Sequence, residues 1–138
     1  MQKILPEKNR PYGANLIATN IPFNSKNKME YIKAVGSLEN FTVILSATAV
    51  FMEQLLSRLK DGGSAFVSVS GTSLGGWIAN IHKTYFDSAD EYRPVFAGAA
   101  PDHLFTDSAY RKMASTKARE NLEAITNAIN FEDDFAKR

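Results

Sequence analysis

Residues 66–76, Phe-Val-Ser-Val-Ser-Gly-Thr-Ser-Leu-Gly-Gly, constrain this chain more than any other stretch. Phe66 to Ser70 alternate apolar and small residues, as a buried strand does. Gly71-Thr72-Ser73-Leu74-Gly75 then spells G-x-S-x-G, and Gly76 follows. From Trp77 the apolar spacing becomes helical. A strand, a tight glycine-rich turn with a central serine and then a helix form the setting of a nucleophile elbow. Ser73 is therefore a candidate nucleophile. By composition alone, such a motif falls somewhere in a chain this long about one time in twenty, and the flanking pattern lowers that further. Two other readings compete. The glycines could serve only packing, or the turn could hold an anion at a helix N-terminus. No G-K-[ST] or G-x-G-x-x-G follows, so the phosphate-loop patterns are missing.

The elbow explains its own glycines. A nucleophile raised above a sheet needs a sharp turn, which brings strand and helix together. Side chains at Gly71 and Gly75 are expected to collide there, and Gly76 eases the packing of the helix. The N–H of Leu74 opens that helix, where donors are free and the dipole is positive. It is the candidate oxyanion donor.

The remaining pattern fits an α/β fold. Ala14 to Ile21 is a short apolar run stopped by Pro22, and reads as a strand. Met29 to Val35 reads as a short helix closed by Gly36. Ser37 caps a long helix from Leu38 to Lys60, with Ile44, Phe51, Leu55 and Leu59 on one stripe and Leu45, Met52 and Leu56 beside it. Gly62 and Gly63 end it. The strand Ser64 to Ser70 leads into the elbow. Leu74, Trp77, Ile78, Ile81 and Tyr85 mark the next helix, and Arg93 to Ala97 is a third strand. Asp107 or Ser108 opens a helix towards Ala118, and Leu122, Ile125 and Ile129 mark another over Arg119 to Asn130. This β-α-β-α-β-α order predicts a three-layer αβα fold with a short parallel sheet. All 138 residues are expected to form one domain.

Bulk properties narrow the partners. Sixteen basic and 15 acidic residues leave a net charge of +1, which gives no field for nucleic acid. There is no cysteine, which excludes disulfides, thiolate metal sites and cysteine nucleophiles. Asp87, Asp90 and Glu91 lack a histidine and regular spacing, so no metal site is expected. No signal peptide is visible and no uninterrupted apolar run nears the roughly 18 residues of a membrane span. The expected location is the cytoplasm.

With these pieces in place, residues 14–101 resemble the central part of the α/β-hydrolase fold, in its lipase and esterase-like members. Gly71-Thr72-Ser73-Leu74-Gly75-Gly76 is close to the Gly-His-Ser-Leu-Gly-Gly of lipases, with Thr72 where histidine is common. Pro94 to Pro101 resembles the strand and turn that follow. The resemblance implies a partial hydrolase-like core that acts on a small ester or acyl substrate without a cofactor. It makes residues 102–138 a helical lid-like or C-terminal segment. It also implies an acid and then a histidine after the serine. Asp133 is the acid candidate, beside Asp134. Either Ile125 to Phe131 is a strand with Asp133 at its tip, or Arg119 to Asn130 stays helical and both carboxylates are solvated; the helical spacing favours the second.

Of the two histidines, His82 lies nine residues beyond Ser73, about 13 Å along a helix. It is expected on the helix surface. His103 follows the third strand but comes before the acid, against the family order. The expectation is therefore a truncated central segment, inactive by itself. Its open sheet edges invite a second copy or a complementing chain. Phe23, Phe96 and Phe105 would sit near strand ends, as core or as an acyl pocket, with core favoured.

Overall fold

In the computed structural model, the described residues are 14–23, 27–97, 112 and 114–120. They form helix α1 (Lys28–Val35), helix α2 (Leu38–Asp61), strand β1 (Ser68–Thr72), helix α3 (Leu74–Tyr85), strand β2 (Glu91–Val95) and a short helix α4 (Thr116–Glu120).

Local chemistry starts and stops the helices. Asn27 caps α1 by accepting the Met29 N–H at 3.0 Å. Ser37 caps α2 through the Asn40 N–H at a longer 3.5 Å. Glu39 in the first turn and Arg58 and Lys60 in the last suit the helix dipole. At the far end, the Gly62 N–H bonds the Arg58 carbonyl, and Gly63 turns away at φ 89°.

β1 and β2 pair in parallel, with Ser68 opposite Glu91 and Thr72 opposite Val95. Asp90 closes the start of the pair. Its carboxylate accepts the Val67 N–H at 2.7 Å, and its own N–H donates to the Val67 carbonyl at 2.9 Å. α3 packs on both strands and α2 packs on α3. The core lies between the helices, around Val35, Phe41, Ile44, Leu45, Ala49, Ile78 and Ile81. Trp77 meets Phe41 edge to face, with centroids 6.0 Å apart.

Several expectations change. Both strands lie a few residues from their predicted places, because pairing with the neighbour sets their limits. Ser64 to Phe66 pair with no strand, while Gly71 and Thr72 do. Ala14 to Ile21 has no regular structure, and Leu16 and Ile17 are exposed. Its apolar run finds no ladder to join, so the sheet of the described residues has two strands, not three. The fold class holds at the coarser level: helices with a short parallel sheet. The helix expected from Asp107 or Ser108 lies mostly outside the described residues. Within them Ala114 is buried against the core, and the Ser115 N–H bonds the Gly36 carbonyl before α4 begins. Most of residues 119–130, His103, Phe105 and Asp133 also lie outside.

The buried face of α2 keeps Ile44, Leu45 and Leu56 of the predicted stripe and adds Phe41, Thr48 and Ala49, while Phe51 is half exposed. Small Thr48 and Ala49 face the core and were not read as part of it. By length and mean hydropathy, 1.2 over its most apolar window, α2 also reaches what a membrane crossing needs. A third of that window is buried within the fold, and a core helix has the same profile.

Candidate active site

Ser73 stands between the end of β1 and the start of α3, and it is exposed. Its backbone has φ 55° and ψ −117°, outside the regions that residues with a Cβ ordinarily occupy. Such a conformation costs of order 1–3 kcal/mol and persists only where neighbours impose it. Two hydrogen bonds do so here. The Ser73 N–H donates to the Val95 carbonyl at 2.8 Å, and the Ser73 carbonyl accepts the Trp77 N–H at 3.0 Å. The hydroxyl makes no capping bond to the helix.

Glycine packing fixes the turn, though not in the expected division. A Cβ on Gly71 would lie 2.1 Å from the Gly75 carbonyl oxygen and 2.8 Å from the Gly76 nitrogen. A Cβ on Gly76 would lie 2.7 Å from Ala97 Cβ and 3.0 Å from the Val95 carbonyl oxygen. At Gly75 nothing lies within 4 Å. The crowding therefore falls on Gly71 and Gly76, and the collision expected at Gly75 is a contact made by its backbone. Leu74, Gly75 and Gly76 open α3, ahead of its first intrahelical bond at Trp77. The Leu74 N–H is thus among the first donors of the helix, which have no acceptor within it.

The sheet ends here as well. Phe96 follows β2 at φ 52° and is 89% exposed, and Val95 is 40% exposed. Phe23 is exposed too, at φ 61°. The preference for a core role at Phe23 and Phe96 is overturned.

His82 is the larger correction. It is fully buried, not on the helix surface. The signal was present in its spacing: it lies four residues after buried Ile78, on the face that packs inward. Its Nδ1 is 2.9 Å from the Tyr92 hydroxyl, which also accepts the Ala89 N–H at 3.1 Å. Its Nε2 lies 3.2 Å from Glu53 Oε2, without the alignment of a hydrogen bond. Glu53 Oε2 also accepts the Ser88 hydroxyl. Burial pushes the imidazole below its ordinary pKa, and the Glu53 carboxylate opposes that. This cluster joins α2, α3 and β2 at the end of α3 away from Ser73. His82 therefore does not serve Ser73 as a base.

A hollow of about 570 Å³ lies at this same remote end, lined in part by Lys83, Asp87 and Tyr92. Ligands of parallel sheets bind beyond the carboxyl ends of the strands, which is where Ser73 stands. Nearby carboxylates are held below their usual range: Asp90 by the Val67 N–H and then Lys60, Glu91 by Arg93 and then Ser68. Among the described residues no group of three metal-ligating side chains converges.

No family model, curated protein or solved structure matches the chain.

Proposed function

We propose that this chain carries the nucleophile segment of a serine hydrolase of the esterase or lipase type, with an α/β-hydrolase-like core. One observation supports this above the others: an exposed serine at positive φ, at the carboxyl end of a parallel strand and the N-terminus of a helix. A packing turn or an anion site would not require a strained serine.

In the proposed reaction Ser73 Oγ attacks the carbonyl carbon of an ester and gives its proton to a base. The oxyanion is held by the Leu74 N–H. The ester C–O bond then breaks and the alcohol leaves with that proton. Water attacks the acyl-serine through the same base, releasing the carboxylic acid and restoring the hydroxyl. The base comes from a complementing chain, so the isolated chain is slow. No cofactor takes part.

The test is reaction of the folded chain with a fluorophosphonate, followed by peptide mass spectrometry. Slow labelling confined to Ser73, faster with added imidazole and lost in Ser73→Ala, is expected. Equal labelling of exposed Ser64, Ser68 and Ser70 would sink the proposal.

A further inference from the structure

We propose that the connector between α3 and β2 is a proton-operated latch, held shut by neutral His82 and released when both nitrogens of its ring carry a proton. The latch stands apart from the nucleophile reading of Ser73.

α3 ends at Tyr85 and β2 begins at Glu91. Two residues between them are held by oxygens that His82 also faces. The Ala89 N–H donates to the Tyr92 hydroxyl oxygen at 3.1 Å, and His82 Nδ1 stands 2.9 Å from that same oxygen. The Ser88 hydroxyl donates to Glu53 Oε2, and His82 Nε2 stands 3.2 Å from that same oxygen. A neutral imidazole has one donor and one acceptor. The Glu53 carboxylate favours the tautomer protonated at Nε2. Nδ1 then accepts the Tyr92 O–H, and the phenol oxygen stays open to Ala89. An imidazolium donates at both nitrogens. Its Nδ1–H competes with Ala89 for the Tyr92 oxygen, and its Nε2–H competes with Ser88 for Glu53 Oε2. Charge-assisted hydrogen bonds are the stronger ones, so the connector yields. The ring is fully buried, so water does not relieve either contest. Among the described residues, Glu53 faces the ring from α2 and Tyr92 from β2, while β1 has no charged side chain. At the end of α3, Lys83 and Asp87 pair with each other at 3.0 Å, and the Lys83 ammonium also stands over the Tyr92 ring. Glu91 is paired with Arg93. Asp90 is bound to Val67 and Lys60, so the release stops at Ala89. Burial holds the imidazole below its ordinary 6.5 against Glu53 and then Asp87, so the latch works on the acid side of that value.

Amide hydrogen exchange on the whole chain tests this, read as protection factors at about pH 7.5 and about pH 5.0. The Ala89 amide should lose protection at least about threefold on acidification. Linkage sets a ceiling of about thirtyfold, for a ring that returns to its ordinary 6.5 once released. Small additions of urea should leave the Ala89 rate unchanged while Ile78 in the core responds, since a local opening exposes little surface. The Asp90 amide, bonded to the Val67 carbonyl, should not follow Ala89. Glu53→Gln keeps an acceptor for Ser88 but removes the charge that favours the imidazolium, so the loss at Ala89 should move to lower pH. Tyr92→Phe should leave Ala89 exchanging fast at both pH values. Equal protection of Ala89 at the two pH values would overturn the latch. So would a loss that only tracks Ile78 under urea, which is global unfolding, or a transition that Glu53→Gln does not move.

Discussion

At Ser73 the chain accepts a backbone cost of order 1–3 kcal/mol. The neighbouring glycines show how that cost is enforced. A methyl group at Gly71 would run into the Gly75 backbone, which has no flexible end to give way. Gly71→Ala should therefore lower stability by about 3 kcal/mol or more. Gly75→Ala should change it by less than about 1 kcal/mol, in the stabilising direction, because the space is open and φ is not left-handed. Ser73→Gly should stabilise by about 1 kcal/mol by relieving the strain. Urea denaturation of the three variants checks the set, and equal losses at Gly71 and Gly75 would contradict the geometry. The elbow was legible in the sequence because its demand is local: strand, turn and helix meet within about ten residues. How the demand divides between Gly71 and Gly75 was not legible, since it depends on which backbone lies opposite.

On the scale of elements, α3 carries an exposed serine at its start and a buried histidine near its end. Tyr92 and Glu53 tie that end to β2 and α2. Tyr92→Phe would strand His82 Nδ1 and the Ala89 N–H, at a cost of about 1–3 kcal/mol. The histidine also makes stability depend on pH. Burial lowers its folded pKa below 6.5, against Glu53 and the more distant Asp87. The unfolded chain then binds the proton more readily. The stabilising contribution is complete above pH 6.5 and is lost as pH falls below it. The urea midpoint should therefore drop between about pH 7.5 and about pH 5.5. His82→Gln should flatten that drop, and a parallel decline in the variant would exclude His82 as its source. Sequence periodicity defined α2 and α3 well. On α2 it placed Ile44, Leu45 and Leu56 in the buried face but took Phe51 for Thr48, because Phe51 is the more apolar yet lies at the margin of the packed stripe. It also discounted His82, whose polarity hid a core position.

Across the whole molecule, the described sheet is small and open. α3 covers one face of it, while Ser68, Ser70 and Thr72 are exposed along β1. Parallel sheets are ordinarily covered on both faces, and a two-stranded sheet alone is marginal. Phe66, Val95 and Phe96 add exposed apolar surface beside it. The chain should accordingly associate as its concentration rises, through light-scattering mass above that of the monomer. Phe66→Lys should weaken this without lowering the melting temperature, since a lysine near a strand discourages pairing. A strictly monomeric parent chain would argue against an open edge. Ala14 to Ile21 shows why sheet size was the least legible feature. Its composition suits a strand, but a strand exists only where another lies ready to pair.

Asp90 has a consequence at a distance. Its carboxylate accepts the Val67 N–H and its own N–H donates to the Val67 carbonyl, which pins the register of the two strands at their first rung. Five residues later, about 16 Å along the sheet, that register brings Val95 level with the turn. A slip of one residue at Asp90 would offer Ser73 a carbonyl facing the wrong way. The address of the nucleophile is thus written at the far end of the sheet, by a residue that never approaches it.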